Sequence, residues 1–91
     1  MAAAYRVEFT RSAKKEFLTL RQDVQDQVLE AIEVIRQNPS TTLVRIRKLT
    51  GVESVYRFRV GDYRVLYELR ALQLVIFVIK IGNRREVYRA F

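Results

Sequence analysis

Two different spacings of hydrophobic residues divide the sequence at its single proline, Pro39. Before it, apolar residues recur every three or four positions, which is the spacing of one buried helix face. After it, apolar residues mostly alternate with polar ones, as they do in strands with one buried face. The switch predicts helices early in the chain and a sheet that is built mostly later.

The residues before Pro39 predict one strand and then two helices that form an antiparallel hairpin. Tyr5–Phe9 alternates apolar and charged side chains, as a half-buried strand does. Thr10 and Asp23 are the predicted N-caps of the two helices. Asn38 should end the second helix, because the residue before a proline avoids helical backbone. The predicted buried faces consist of Ala13, Phe17 and Leu20 in the first helix, and of Val24, Val28, Ile32 and Ile35 in the second.

The residues after Pro39 predict four strands and a short helical end. The strands are expected at Val44–Arg47, Val55–Val60, Tyr63–Tyr67 and Leu74–Ile81, and a helical turn or two at Arg85–Phe91. The last strand is continuously apolar, which predicts a central strand covered on both faces. The element order β-α-α-β-β-β-β is typical of an α+β fold with a mainly antiparallel, curved sheet. We expect residues 1–91 to form a single domain.

The Gly61-Asp62 pair joins two alternating strands and predicts a hairpin with a two-residue turn, since glycine supplies the positive φ of a type II′ turn. This turn sets the register, with Arg59 opposite Arg64. Because side chains alternate between faces, the register gives the hairpin one apolar and one basic face. The apolar face consists of Tyr56, Phe58, Val60, Tyr63, Val65 and Tyr67, and the basic face of Arg57, Arg59 and Arg64, which we expect to be exposed together.

The excess of positive charge lies in the second half of the chain. Residues 1–44 carry six basic and six acidic side chains, whereas residues 45–91 carry eleven basic and four acidic ones. Arginine concentrated in one region predicts a polyanionic partner, nucleic acid first and an acidic protein second. A face that is merely solvated is the alternative. Like charges directly opposite each other are destabilising, and a bound phosphate would relieve the repulsion.

The composition excludes several classes of chemistry. The chain has no cysteine and no histidine, which excludes disulfides, the usual zinc, copper and haem sites, and histidine-based acid–base catalysis. We therefore expect no metal and no cofactor. The longest apolar run has six residues, far short of the ~20 that span a bilayer, and no export signal is apparent. These features predict a cytoplasmic protein that does not associate with membranes.

Several segments together resemble the RelE/ParE toxin superfamily. They are Lys48-Leu-Thr-Gly51, the run from Val55 to Tyr67 with its Gly-Asp-Tyr-Arg-Val-Leu-Tyr core, the run from Val75 to Gly82, and Arg84 with Glu86-Val-Tyr88. With the N-terminal strand and helix, the resemblance covers nearly the whole chain. The Gly-Asp-Tyr-Arg-x-x-Tyr core is fairly specific for the superfamily and less specific for a branch within it.

Resemblance to the RelE branch implies the toxin of a type II toxin–antitoxin pair, with a cognate antitoxin as its partner. Such toxins enter the ribosomal A site and cut the mRNA there, by metal-free attack of a ribose 2′-OH on the neighbouring phosphate. The resemblance implies catalytic roles for Arg64, Arg84 and Tyr88. Further contacts to RNA or phosphate are expected from Arg57, Arg59, Lys80, Arg85, Arg47 and Lys48.

Two alternatives stay open. The ParE branch implies a toxin that is not a nuclease and inhibits DNA gyrase by protein–protein contact, although Arg64, Arg84 and Tyr88 favour the nuclease. The second concerns the general base. Arg57 and Arg59 stand where well-studied RelE members have lysines, and arginine stays protonated. They should therefore hold phosphate, and a base would come from Tyr88, Lys80 or the ribosome.

Overall fold

The computed structural model describes residues 4–83 of the protein. Along the chain its elements are β1 (Arg6–Phe9), α1 (Arg11–Leu18), α2 (Gln22–Gln37), β2 (Arg47–Lys48), β3 (Val55–Val60), β4 (Tyr63–Arg70), a 3₁₀ turn (Ala71–Gln73) and β5 (Val75–Asn83). The five strands form one sheet in the order β1-β5-β4-β3-β2, in which only β1 and β5 are parallel. The predicted α+β class with a mainly antiparallel sheet is confirmed. The predicted C-terminal helical turn lies outside the described residues.

Both helices begin where the apolar spacing begins, but only one has the predicted cap. The Thr10 side-chain hydroxyl accepts a hydrogen bond from the Ala13 N–H (3.0 Å), as expected. The second helix has Arg21 at its N-cap position and no side-chain cap, so the prediction of Asp23 as a cap was wrong. Asp23 lies in the first turn instead, where a carboxylate still interacts favourably with the helix dipole. Asn38 ends the helix in extended backbone, as its place before proline requires.

The core lies between the two helices and one face of the sheet. All four predicted α2 positions are buried, and so are Ala13 of α1 and Leu20, which follows the end of that helix, whereas Phe17 is half-buried. They share one apolar cluster with the sheet residues Phe58, Val60, Val65, Tyr67, Ile76, Val78 and Ile81. No helix within residues 4–83 is long and apolar enough to cross a bilayer.

The β3–β4 hairpin has the predicted register. Val60 pairs with Tyr63 across the turn and Arg59 pairs with Arg64, while Gly61 has the positive φ (57°) that the turn needs. Phe58, Val65 and Tyr67 are buried on the helix side. The pairing confirms that one face of this hairpin is apolar and that the other carries the arginines.

Two strand predictions were too long at their N-terminal ends. The strand expected from Val44 is limited to Arg47–Lys48, because Val44 and Ile46 pack against the core without belonging to a strand. Leu74 does not open the last strand: it adopts left-handed backbone (φ 55°) after the 3₁₀ turn, and its N–H donates to Ala71 C=O. Hydrophobicity indicated burial in both places, but the backbone hydrogen bonds set the strand boundaries.

Candidate nucleic-acid interface

Four arginines on three neighbouring strands share one face of the sheet. Arg47 of β2 pairs with Arg57 of β3, and Arg59 of β3 pairs with Arg64 of β4. Directly paired residues point to the same side of a sheet, and so do residues two apart on one strand. We call these four residues the arginine face. It lies opposite the helices, because the alternate residues Phe58 and Val65 belong to the core.

The arginine face places like charges next to each other twice. In each directly opposed pair the Cβ atoms lie roughly 5 Å apart, a spacing at which equal charges repel. Glu68, an acidic residue further along β4, already pairs with Arg70. The arrangement therefore attracts anions, and the planar guanidinium group binds phosphate through two parallel hydrogen bonds.

Exposure on this face decreases from the edge of the sheet to its centre. Arg47 and Arg59 are exposed and Arg57 is half-buried, but Arg64 is only 7% exposed. The prediction that Arg57, Arg59 and Arg64 are exposed together was therefore wrong for Arg64. Leu66, which pairs with Arg57 on the same face, is fully buried as well, so the centre of this face is shielded from solvent, whereas Arg47 lies on the edge strand. Arginine remains charged even where it is buried, so Arg64 contributes a positive charge at the base of the face.

Two other predicted contacts lie in different surroundings. Lys48 pairs with Tyr56, whose side chain packs against the core, so Lys48 lies on the opposite face from Arg47. Lys80 pairs with the buried Leu66, but its ammonium group binds the Glu16 carboxylate at 2.5 Å. Lys80 therefore does not add an uncompensated charge to the arginine face.

Glu16 is the residue that the sequence reasoning did not single out. Its carboxylate accepts hydrogen bonds from both the Lys80 side chain and the Ile81 N–H, the latter at 3.1 Å. A possible signal was its place on α1, directly before Phe17 of the predicted buried stripe. Such a position borders the core, where a carboxylate needs a partner.

The remaining predicted site residues, Arg84, Arg85 and Tyr88, lie outside the described residues. The description ends at Asn83, which pairs with Tyr63, and the preceding Gly82 pairs with Arg64. The sequence thus runs into Arg84 directly after the part of β5 that lies beside Arg64.

Tyr67 is buried in the core on the helix side of the sheet, away from the arginine face. Burial in the core, with a smaller contribution from Tyr56, raises its pKa well above the ordinary value of 10. The two rings stack with their centroids 5.8 Å apart on the helix side of the sheet. Within residues 4–83, no group of three or more acidic, histidine or cysteine side chains is arranged to hold a metal ion.

A family model described as "ParE toxin of type II toxin-antitoxin system, parDE" matches residues 7–88. This protein belongs to that toxin family. The match spans both helices, the whole sheet and the segment with Arg84 and Tyr88. It confirms the resemblance to the RelE/ParE superfamily that the hairpin motif indicated.

Curated and solved relatives come from the RelE side of the superfamily. The chain is 29% identical over 89 residues to the mRNA interferase toxin RelE of Escherichia coli, covering 93% of this chain and 90% of that protein. The toxin in the intact E. coli RelBE toxin–antitoxin complex superposes with a TM-score of 0.78 at 26% identity, over 91% of this chain and all of that one. The archaeal RelE–RelB complex from Pyrococcus horikoshii OT3 gives 0.78 at 28% identity, over 92% and 99%.

Proposed function

We propose that this protein is a toxin that cleaves mRNA on the ribosome and is neutralised by a cognate antitoxin. The observation that carries the proposal is the arginine face, with its two opposed arginine pairs on β2, β3 and β4. Guanidinium groups so arranged are suited to bind phosphate, and RNA is the anion on which the E. coli relative, by its name, acts. Its site of action would be the cytoplasm, where ribosomes translate.

The chemistry we propose is the one that the RelE resemblance implies. The ribose 2′-oxygen forms a bond to the adjacent phosphorus, the bond from phosphorus to the 5′-oxygen breaks, and the 2′ proton passes by way of a base to the departing 5′-oxygen. The products are a cyclic phosphate and a 5′-hydroxyl. Negative charge increases on the phosphate oxygens during the step, so fixed cations lower its barrier more than they strengthen ground-state binding.

The arginines divide this work according to their exposure. Arg47, Arg57 and Arg59 lie towards the open side of the face and would bind the RNA backbone. Arg64, held at its base, would orient the phosphate next to the bond that breaks. We place Arg84 at the scissile phosphate and Tyr88 on a base or in proton transfer, by resemblance to the family.

The antitoxin has two surfaces available. The first is the arginine face, which would attract an acidic segment. The second is an apolar groove between β1 and the helices, lined by Val7, Phe9, Phe17, Leu18 and Leu29. Leu18 and Leu29 are 62% and 47% exposed, so an amphipathic segment could cover them by folding on binding. Expression without the antitoxin should stop growth, and unimpaired growth at high soluble expression would contradict the toxin assignment.

Inhibition of DNA gyrase is the second candidate, because the matching family model is named for the parDE system. The two candidates differ in substrate and can be separated with one protein preparation. Cleavage of mRNA on programmed ribosomes is expected, with no effect on gyrase supercoiling. Loss of supercoiling without RNA cleavage would replace the proposed function with the alternative.

Arg84→Ala gives the sharpest test of the chemistry. Its single-turnover cleavage should fall on the order of 10²–10³-fold, as when one oxyanion donor is removed. Ribosome binding should weaken much less, since one contact is a small part of the total. Arg84→Lys should recover little, because a point charge does not reproduce the guanidinium fork. Arg11→Ala, which removes an exposed charge on α1, is the matched control.

A further inference from the structure

Among residues 4–83, no strand lies beside the outer edge of β5 over its last residues. β1 pairs with β5 only from Val75 to Val78, whereas β5 continues to Asn83. The Thr10 N–H donates to Val78 C=O at 2.9 Å and ends that ladder. Backbone groups beyond this point need other partners, because an unpaired buried N–H is costly.

Glu16 of α1 takes the place of the missing strand. One carboxylate oxygen accepts from the Ile81 N–H at 3.1 Å, and the other accepts from the Lys80 ammonium at 2.5 Å. The Glu16 and Lys80 side chains are only 26% and 28% exposed, so solvent and salt screen their interaction less than they screen a surface pair. We call this arrangement the Glu16 clamp.

The clamp differs from the other ion pairs within residues 4–83. Those pairs join residues two or three positions apart in the sequence, and so they fix only local geometry. Glu16 and Lys80 are 64 positions apart, and their contact joins the first helix to the end of the last strand. It therefore holds two distant parts of the chain in one relative position.

The clamp acts beside the proposed catalytic residues. Immediately after Ile81, Gly82 pairs with Arg64, and the chain then runs through Asn83 into Arg84. Fixing Lys80 and Ile81 thus fixes the part of β5 from which Arg84 follows. A displacement of about 1 Å at a reacting group can cost ~10²-fold in rate, so the end of β5 has to be held firmly.

We propose that Glu16 is a positioning residue for RNA cleavage and that Lys80 serves the clamp rather than binding RNA. The inference rests on the proposed function. It assigns α1 a task beyond covering the core, namely to hold the end of β5 in register beside Arg64. It also separates Lys80 from the arginine face, with which the sequence pattern grouped it.

Single-turnover cleavage at saturating ribosomes tests the role of Glu16. Glu16→Ala removes both contacts and should lower the rate about 10- to 10²-fold without weakening ribosome binding. Glu16→Gln should lose less, because its one amide oxygen can still accept from the Ile81 N–H. Glu30→Gln, an equal charge change at an exposed position of α2, should retain the wild-type rate. A normal rate in folded Glu16→Ala, or an equal loss in Glu30→Gln, would overturn the proposal.

The salt dependence of ribosome affinity tests the role of Lys80. A residue that contacts phosphate contributes about 0.7–0.9 to the slope of log affinity against log salt. Lys80→Gln should leave the slope unchanged, whereas Arg59→Gln should reduce it by that amount. A reduced slope for Lys80→Gln would show that Lys80 binds RNA and would remove it from the clamp.

Amide hydrogen exchange at Ile81 gives a readout that does not depend on activity. Exchange should accelerate in Glu16→Ala and remain slow in Glu16→Gln, and thermal unfolding checks that both variants are folded. If Glu16→Ala does not fold, the test uses Glu16→Gln alone. Its Ile81 amide should exchange as slowly as in wild type, and its cleavage rate should be reduced. Equal protection in wild type and folded Glu16→Ala refutes the clamp. If exchange accelerates in Glu16→Ala but the wild-type protein cuts no RNA, the proposed function and the positioning role are refuted. The contact between Glu16 and the Ile81 N–H would still be established.

Discussion

The two faces of the β3–β4 hairpin are formed by alternate residues of the same two strands, yet one face is apolar and packed whereas the other is basic. On the helix side, Phe58, Val65 and Tyr67 are almost fully buried, and each neighbour stabilises the next by packing. On the other side, Arg59 faces Arg64, so that neighbours repel. The first face is explained by folding alone. The second does not contribute to packing in this way and is suited to binding an anion, which is why the functional proposal rests on it.

The solvent exposure of the arginine face decreases from the edge of the sheet to its centre. Its edge is exposed at Arg47, while its centre contains the buried Arg64 and the fully buried Leu66. An exposed arginine can adapt to many phosphate positions, whereas a buried one is held in a fixed orientation. We therefore expect substitutions at the edge to change affinity and substitutions at the centre to change rate.

The largest effect should come from breaking the packed face. Phe58→Ala should lower the free energy of unfolding by about 3–5 kcal/mol, because it removes a buried ring and leaves a cavity. Leu72→Ala removes a fully exposed side chain and should change stability by less than about 0.5 kcal/mol. Urea unfolding of both variants provides the measurement. Similar values for the two would mean that Phe58 does not lie in the core.

The next effect should come from the centre of the arginine face. Arg64→Met and Arg64→Lys should both lower single-turnover cleavage on the order of 10²-fold, since neither side chain reproduces the fixed fork. Thermal unfolding shows how much of each preparation is folded, and Arg11→Met is the control for the charge. A folded Arg64→Met variant with wild-type cleavage would exclude a catalytic role for this arginine.

The pH dependence of stability tests the burial of Tyr67 in the packed face. Because burial raises the pKa of Tyr67, the folded protein keeps its phenolic proton at a pH at which the unfolded chain loses it. Its contribution to stability is therefore complete below pH 10 and is lost as the pH rises further, by up to about 1.4 kcal/mol per pH unit. The free energy of unfolding of wild type and Tyr67→Phe, measured from pH 9 to 11, tests this. The loss of stability due to Tyr67 should be absent in the variant. The control Tyr63→Phe should behave like wild type.

The smallest effect should separate the two faces at the sheet edge. Arg47 and Lys48 are adjacent and both exposed, but they lie on opposite faces of β2. Arg47→Ala should reduce the salt slope of ribosome affinity by about 0.7–0.9, and Lys48→Ala should reduce it less. Equal reductions would mean that RNA extends around the edge of the sheet.

Local signals in the sequence were sufficient for much of the fold. A two-residue turn sets the register of its own hairpin, so the positions of Arg57, Arg59 and Arg64 on one face followed from Gly61-Asp62. The second helix was identified in the same way, from four apolar positions and a proline. Its cap was not, because the helix begins at Gln22 with Arg21 at the N-cap, although Asp23 has the stronger capping preference.

Features that depend on distant residues could not be predicted. The burial of Arg64 depends on its place at the shielded centre of the sheet face, beside the buried Leu66, and the Lys80–Glu16 contact depends on where α1 crosses the end of β5. Neither relation leaves a periodic trace in the sequence. The candidate site was therefore predicted correctly in its cross-strand pairing and incorrectly in the exposure of Arg64, and the pairing of Lys80 with Glu16 was not foreseen.

The pairing of the first strand with the last strand has a consequence for the timing of synthesis. Arg6 pairs with Val75, so β1 cannot form its strand pairing until β5, the last strand of the described residues, has been synthesised. At about 5–20 residues per second, the ribosome needs several seconds or more to provide β5 after β1. During that interval neither the parallel pair nor the Glu16 clamp can form. A protein proposed to attack ribosomes thus acquires its five-stranded sheet only after the ribosome has translated β5.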